Sequence, residues 1–380
     1  MINSALRLYL PYSFATLAFL LAMFGVVMIY NASPYVNRAV TQFVWLMVGS
    51  FGFLIGATTP YVYWKRLAWP LYFVAVALLI LVLLPGLGDN SYGAQRWIRL
   101  EGLPVLGAVG FQPSEIAKFS LIVFFSAWFA KKGRRKDSRT LTGFLSFLGL
   151  VVFLIMLQPD LGTTLIILCS IGVIYLLARE PMKYFLLLCV CFVIGVIILI
   201  IIAPYRMNRL MSFFHFVADP VQTHDALGST YHIRQAVIGI SAGGVLGVGP
   251  GESRQKYGYL PFPETDSIFA IIAEEFGLIG TSFFLFIVLL FLRQGLMIAD
   301  SAKEDFGRLL AAGIIVWFSS QILLNVGAMV AAIPFTGVPL LFISYGGSAL
   351  VVGMFAVGIL VNIGLSAYNT NHINVKNRVI

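Results

Sequence analysis

Runs of apolar residues about as long as a bilayer-spanning helix recur along this chain, separated by short polar stretches. That single feature decides the class. Hydrophobic residues make up 59% and charged residues 11% of the 380 positions, a balance that no water-soluble globular domain carries. Backbone groups in lipid must be satisfied within the segment, and the alternating pattern of barrel strands is absent, so the spans read as helices. The first apolar run is long and lacks a small-residue cleavage site, which makes it a retained span rather than a signal peptide.

The expected fold is an all-α polytopic membrane protein forming one membrane domain over residues 1–380. Ten transmembrane helices are expected at about 12–31, 39–58, 67–86, 113–130, 142–157, 161–178, 184–204, 267–292, 309–333 and 346–367. Lys65, Arg66, the basic run Lys131 to Lys136, Lys183, and Arg293 to Arg308 fall on one side of that pattern, which is therefore cytoplasmic. Both termini lie there as well, with Arg7 at one end and Lys376 and Arg378 at the other. Two long loops face outward, at about 87–112 and, between helices 7 and 8, about 205–266. The net charge of +9 follows from this arrangement and gives no reason to expect nucleic acid, since basic residues occupy both faces. Cys169, Cys189 and Cys191 sit in apolar runs without metal-ligand spacing and read as inert packing residues.

The outer loops break the charge bias. They carry Arg96, Arg99, Arg206, Arg209, Arg234, Arg254 and Lys256, cations that topology does not require. Either an anionic ligand such as a phosphate or the lipid headgroups account for them. Asp and Glu number only 16, so the position of each acid carries information. Asp266 stands where a glycine-rich, basic, aromatic loop meets an apolar helix, and reads either as a helix cap or as a reactive carboxylate. Glu264 is a rival two residues earlier, and Glu274 and Glu275 lie further along the helix. Gly243, Gly244, Gly247, Gly249 and Gly251 allow a close backbone approach, a nest of N–H groups for a phosphate, or a hinge. They follow no parallel strand, so a nucleotide-binding reading fails. Short amphipathic or re-entrant pieces are expected between Tyr205 and Asp266.

Glu115 and Lys118 open the fourth span three residues apart, on one helix face. They form either a structural ion pair or a phosphate contact in which Glu115 holds Lys118. Asp160, in Gln158-Pro159-Asp160-Leu161-Gly162-Thr163, reads as the cap of the sixth span. Trp97 lies in the exposed stretch Asn90 to Arg99, where it stacks on a sugar or anchors at the interface. Ser344 belongs to Phe342 to Ser348, whose small and hydroxyl residues permit close helix contact or line a groove.

Taken in order, GAQRWI, FQPSEIAK, QPDLGTT, the loop containing SRQKYGYLP and TD, and VPLLFISYGGS resemble the SEDS family (shape, elongation, division and sporulation) over nearly the whole chain. The SRQKYGYLP segment resembles the division branch, FtsW, more than the elongation branch, RodA. The resemblance implies a peptidoglycan glycosyltransferase that polymerises lipid II outside the cytoplasmic membrane. It works with a class B penicillin-binding protein and with other division or elongation membrane proteins. It maps the family's catalytic aspartate onto Asp266. Where the family commonly has PEAHTD or PERHTD, this chain has Phe262-Pro263-Glu264-Thr265-Asp266, and a neighbouring carboxylate at Glu264 would raise the pKa of Asp266.

The implied reaction joins the GlcNAc 4-hydroxyl of one lipid II to the anomeric carbon of another, with inversion and loss of undecaprenyl diphosphate. It asks for a base, for which Asp266 is the candidate, and for positive charge at the leaving group. Lys118, Arg206, Arg209, Arg254 and Lys256 are the candidates for that charge. A divalent cation (magnesium or manganese) is a conceivable helper, although no metal-binding cluster is written in the sequence. Trp97, Glu115 and Ser344 complete the expected substrate contacts. A lipid II flippase and a non-catalytic division scaffold are the rival readings. The flippase would need polar residues continuing to the cytoplasmic side, whereas here they crowd the outer half.

Overall fold

Apolar length becomes helix along most of the chain. The computed structural model describes all residues except 1–3, 34, 86–87, 90–94, 104–106, 132–137, 187–188, 191–194, 196–203, 219–228 and 380. In chain order the helices are α1 (Ser4–Ala32), α2 (Val36–Thr58), α3 (Val62–Arg66), α4 (Ala68–Leu81), α5 (Pro113–Phe129), α6 (Ser138–Leu157) and α7 (Leu161–Leu177). They continue with α8 (Pro204–Ala218), α9 (Ser229–Gly243), α10 (Ile268–Ser301), α11 (Asp305–Met329) and α12 (Gly347–Val379). Among the described residues, five segments, Tyr9–Ala32, Val36–Thr58, Ile268–Ser301, Asp305–Met329 and Gly347–Tyr368, are long and apolar enough to cross a membrane. Ala68–Leu81, Leu141–Leu157 and Leu161–Leu177 are shorter apolar helices. The expected seventh span, 184–204, falls largely outside the described residues, as do Cys191 and the basic run 132–136.

Glycines set how closely the helices approach. Gly49, Gly52 and Gly56 lie along α2, and a methyl group on Gly52 would stand 3.6 Å from the Phe355 Cβ of α12. Gly358 of α12 returns the contact against the Phe53 backbone, as expected for helices that pack through small residues rather than through a hydrophobic driving force. Elsewhere aromatic contacts fill the interior. Phe14 of α1 stacks on Phe291 of α10 at 4.6 Å, and Tyr72 of α4 donates its hydroxyl to the Phe147 carbonyl of α6 at 3.0 Å.

Three features depart from the expected pattern. The stretch 87–112, expected as a loop, holds a three-stranded antiparallel sheet in the order β1 (Gly88–Asp89), β2 (Trp97–Leu103), β3 (Gly107–Phe111), with Ile98 opposite Phe111. Cross-strand pairing satisfies an extended backbone whose glycines gave no alternating signal. The ninth expected span, 309–333, ends at Met329, after which the chain turns back so that the Ala332 amide donates to the Gly327 carbonyl at 2.8 Å. Helix α10 is broken at Gly277, where the backbone takes φ 62° and ψ −168°.

The break at Gly277 is filled by the glycine-rich loop. The Glu274 and Glu275 carbonyls accept from the Val248 and Gly249 amides at 3.0 and 3.1 Å. The Leu278 and Ile279 amides donate to the Gly244 and Val245 carbonyls at 2.9 and 3.2 Å. The loop thus supplies the partners that the helix loses, and the pieces expected between Tyr205 and Asp266 resolve into α8, α9 and this docked loop.

Candidate functional site

Asp266 sits in the turn just before α10, half-buried, and the N-cap position belongs to Ser267. Three side chains fix the turn through its backbone rather than through the carboxylate. Asn325 of α11 donates its amide to the Asp266 carbonyl at 2.7 Å and to the Val338 carbonyl at 2.8 Å. Ser344 donates its hydroxyl to the Thr265 carbonyl and accepts from the Leu340 amide at 2.7 Å. Ser267 hydrogen-bonds His232 Nε2 of α9 and the Pro261 carbonyl, both at 2.9 Å. The Asp266 carboxylate accepts from the Thr265 hydroxyl at 3.0 Å and faces Gly337, where an added methyl would lie 3.8 Å from Oδ2.

A second line of contacts runs behind this turn. Lys118, on α5, is buried, with Nζ 2.9 Å from Glu115 Oε2, 3.1 Å from Gln321 Oε1 and 5.0 Å from the centre of the Trp317 ring. Gln321 passes the connection on, donating to the Pro339 carbonyl at 3.1 Å. Gln321 and Asn325 are four residues apart on α11, so one helix face grips adjacent carbonyls of the 338–339 segment. The Glu115–Lys118 pair and the Asp266 turn are thereby joined through one strip of backbone.

Helix α2 closes the other side in the same way. Gln42 is fully buried, donates to the Ser344 carbonyl at 3.2 Å and accepts from the Gly346 amide at 3.2 Å. One turn earlier, Arg38 pairs with the buried carboxylate of Glu264. Glu264 is thus charge-compensated and does not meet Asp266 as a bare neighbouring carboxylate. Its carbonyl also accepts the Tyr345 amide at 2.8 Å.

The remaining expected residues divide. Trp97 is half-buried in β2 with its ring on Gly110 of β3, and the end of β3 is tied to α12 by the Gln112 amide donating to the Ser348 hydroxyl at 3.2 Å. Arg96 spends its guanidinium on the Gln158 and Pro159 carbonyls, the first at 2.9 Å. Asp160 caps α7 as its position implied, accepting from the Thr163 amide at 3.0 Å and hydroxyl at 2.8 Å. Arg254 is exposed, while Lys256 is half-buried and donates to the Gly251 carbonyl. Arg206 and Arg209 lie on α8, and their side chains fall outside the described residues.

Glu274 is an anchor. It accepts from the Ser253 hydroxyl, from the Arg254 amide at 3.0 Å and from the Gln255 amide at 3.4 Å. The glycine amides that offered a phosphate nest are largely committed to the chain itself, as Gly247 also donates to the Gly243 carbonyl at 2.8 Å. Among the described residues, no three His, Cys, Asp or Glu side chains come together to hold a metal ion.

Arg38, Gln42, His232, Gln321 and Asn325 did not emerge from the sequence. Polar side chains inside apolar spans were the available signal for Gln42, Gln321 and Asn325.

Comparison with known proteins agrees with this architecture. The family model described as cell cycle protein, covering FtsW, RodA and SpoVE, matches residues 12–369. Stage V sporulation protein E of Bacillus subtilis is 34% identical over 356 residues, covering 90% of this chain and 94% of that protein. A probable peptidoglycan glycosyltransferase FtsW of Trichlorobacter lovleyi is 36% identical over 363 residues, covering 90% of each. A solved chain from a study of polymerisation and crosslinking by a peptidoglycan synthase complex superposes with TM-score 0.77 at 25% identity, over 94% of this chain and 98% of that one. The crystal structure of Thermus thermophilus rod shape determining protein RodA superposes with TM-score 0.67 at 24% identity, over 94% of this chain and 97% of that one. With the family model matched over residues 12–369 and relatives 34–36% identical over most of its length, this multi-pass membrane protein belongs to the FtsW/RodA/SpoVE family of cell cycle proteins.

Proposed function

We propose that this chain is an inverting peptidoglycan glycosyltransferase that polymerises lipid II in cell division or elongation, with Asp266 as its general base. One observation carries the assignment of the base. Asp266 lies in a turn whose backbone is fixed by Asn325, Ser344 and Ser267, while the residue is only half-buried and its carboxylate lies beside Gly337. A base must be held still and remain within reach of the proton that it takes.

In the proposed reaction the acceptor's GlcNAc 4-hydroxyl attacks the donor's anomeric carbon as Asp266 takes the hydroxyl proton. The bond to undecaprenyl diphosphate breaks in line, and the α-linked donor becomes a β-1,4 link. Exposed Arg254, with Arg206, Arg209 and Lys256, supplies positive charge for the diphosphate. Lys118 adds a buried positive charge held by Glu115. Trp97 offers a ring for a sugar, and Ser344 shapes the wall beside the turn.

The reading extends to ten spans in the bacterial cytoplasmic membrane, both termini cytoplasmic, and the 205–266 stretch outside. Likeness to a chain of a peptidoglycan synthase complex supports a class B penicillin-binding protein as partner. Other division or elongation proteins and membrane lipids complete the setting. The test is incubation of the purified protein and its penicillin-binding partner with labelled lipid II. Wild type gives a glycan ladder and Asp266→Asn loses it, by about 10²–10⁴-fold in rate for a missing general base. An Asp266→Asn variant that polymerises like wild type refutes the role of Asp266. Translocation of lipid II across vesicles without a ladder refutes the polymerase.

A further inference from the structure

Arg38 and Glu264 are 226 positions apart, yet they form an ion pair over the segment that carries Asp266. Glu264 is 3% exposed and Arg38 40% exposed, so the carboxylate is the buried member and the guanidinium reaches it from the outer rim of α2. The pair sits between two aromatic rings. The Arg38 guanidinium carbon lies 5.4 Å from the centre of Tyr35 and 5.9 Å from that of Tyr345. Tyr345 in turn donates its amide to the Glu264 carbonyl, and Gln42, one helical turn after Arg38, holds the residues on either side of Tyr345. Helix α2, the turn 264–266 and the segment 344–346 therefore meet at one charge pair.

A buried carboxylate two residues before Asp266 is costly unless compensated, and it would repel negative charge on Asp266. The structure gives this acid a cation from a different helix. We infer that Arg38 is a positioning residue for the Asp266 turn: its guanidinium compensates Glu264 and clasps the turn to α2. This rests on Asp266 being the base, and the cation's role is geometric and electrostatic rather than chemical. Among the described residues, Arg38 from α2 meets the Glu264 carboxylate, and Tyr345 from the segment before α12 meets its backbone carbonyl.

Charge exchange tests it. Lipid II polymerisation is measured against substrate concentration for wild type, Arg38→Gln, Arg38→Lys, Arg38→Glu, Glu264→Arg, the double exchange Arg38→Glu/Glu264→Arg, and Asp266→Asn. Hydrogen exchange at the Tyr345 amide is followed in each. Arg38→Gln is expected to lower kcat by about tenfold or more, with KM changed by less than about twofold, because misplacement of a reacting group acts on turnover. Exchange at Tyr345 accelerates in the same variant. Arg38→Lys keeps most of the rate, and the double exchange recovers at least about tenfold over the worse single change.

Unchanged kcat and unchanged exchange in Arg38→Gln overturn the inference. So does a double exchange no better than the worse single variant, or a loss confined to KM. Should Arg38→Gln fail to fold, Arg38→Lys and the double exchange decide alone. Should Asp266→Asn polymerise normally, the catalytic reading fails while the exchange arm still decides whether the clasp exists.

Discussion

Gly277→Ala is expected to undock the glycine-rich loop without abolishing the fold. The wild-type backbone at Gly277 occupies φ 62°, ψ −168°, a region essentially restricted to glycine, and placing a side chain there costs about 1–3 kcal/mol. The added methyl would overlap the Gly247 amide nitrogen and stand 2.7 Å from both the Leu246 carbonyl carbon and the Val245 oxygen. These are backbone atoms of the docked loop, so the loop must move. Movement breaks the four bonds that Val248, Gly249, Leu278 and Ile279 make across the break. At a net contribution of about 0.5–1.5 kcal/mol each, their loss adds about 2–6 kcal/mol, for a total of roughly 3–9 kcal/mol charged to the docked state. The assay is native-state hydrogen exchange of those four amides in detergent, read beside lipid II polymerisation. The expected result is exchange faster by a factor of 100 or more at all four positions, from even the lower end of that range, about 3 kcal/mol. Polymerisation falls with it, since the same loop carries Arg254 and Lys256. Protected amides in Gly277→Ala would refute the reasoning, because the loop would then dock without the glycine break.

Lys118→Met leaves the buried Glu115 carboxylate without its cation and is expected to cost about 3–5 kcal/mol in detergent unfolding. The double change Lys118→Met/Glu115→Gln returns stability to near wild type but leaves polymerisation impaired, because a buried ion pair adds little stability of its own. Full recovery of polymerisation in the double variant would assign the pair to structure alone. Asp160→Ala removes an N-cap and a Thr163 hydroxyl partner and lowers stability by about 1–2 kcal/mol, read by the same unfolding. Burial pushes the Tyr345 phenol above its ordinary 10.0, with the Arg38 guanidinium opposing the shift. The raised folded value means that its contribution is fully present below pH 10.0 and is lost as pH rises through the folded pKa. Tyr345→Phe therefore flattens the alkaline fall in stability, measured as thermal midpoint against pH.

What could be read from the sequence was what neighbouring residues decide among themselves. Apolar length gave the long helices, Asp160 announced its own cap, and the spacing of Glu115 and Lys118 put them on one face. What could not be read depends on a distant partner. The glycines 243–251 were open to a ligand, a nest or a hinge, and they meet instead the broken helix at Gly277, whose exposed amides and carbonyls they satisfy. Arg38 just precedes the second expected span, and only the fold sets it on Glu264, 226 positions away. The sheet at 88–111 was hidden because Gly107 and Gly110 interrupt the alternation by which strands are recognised.

The chemistry of the anchors around Asp266 has a consequence of its own. Asn325, Gln321 and Gln42 are amides, and Ser344 and Ser267 are hydroxyls. None of these side chains carries a charge that titrates between the carboxylate and lysine ranges. The charges buried around the turn come as compensated pairs, Lys118 with Glu115 and Arg38 with Glu264. A turn held mainly by amides and hydroxyls, with His232 the one imidazole among its named contacts, keeps most of its bonds as protons come and go. A scaffold of this kind separates holding the site from the proton transfer performed there. A neutral amide or hydroxyl can bond a carbonyl in low dielectric without the desolvation cost of an ion, so the anchors can be buried while Asp266 stays half-exposed.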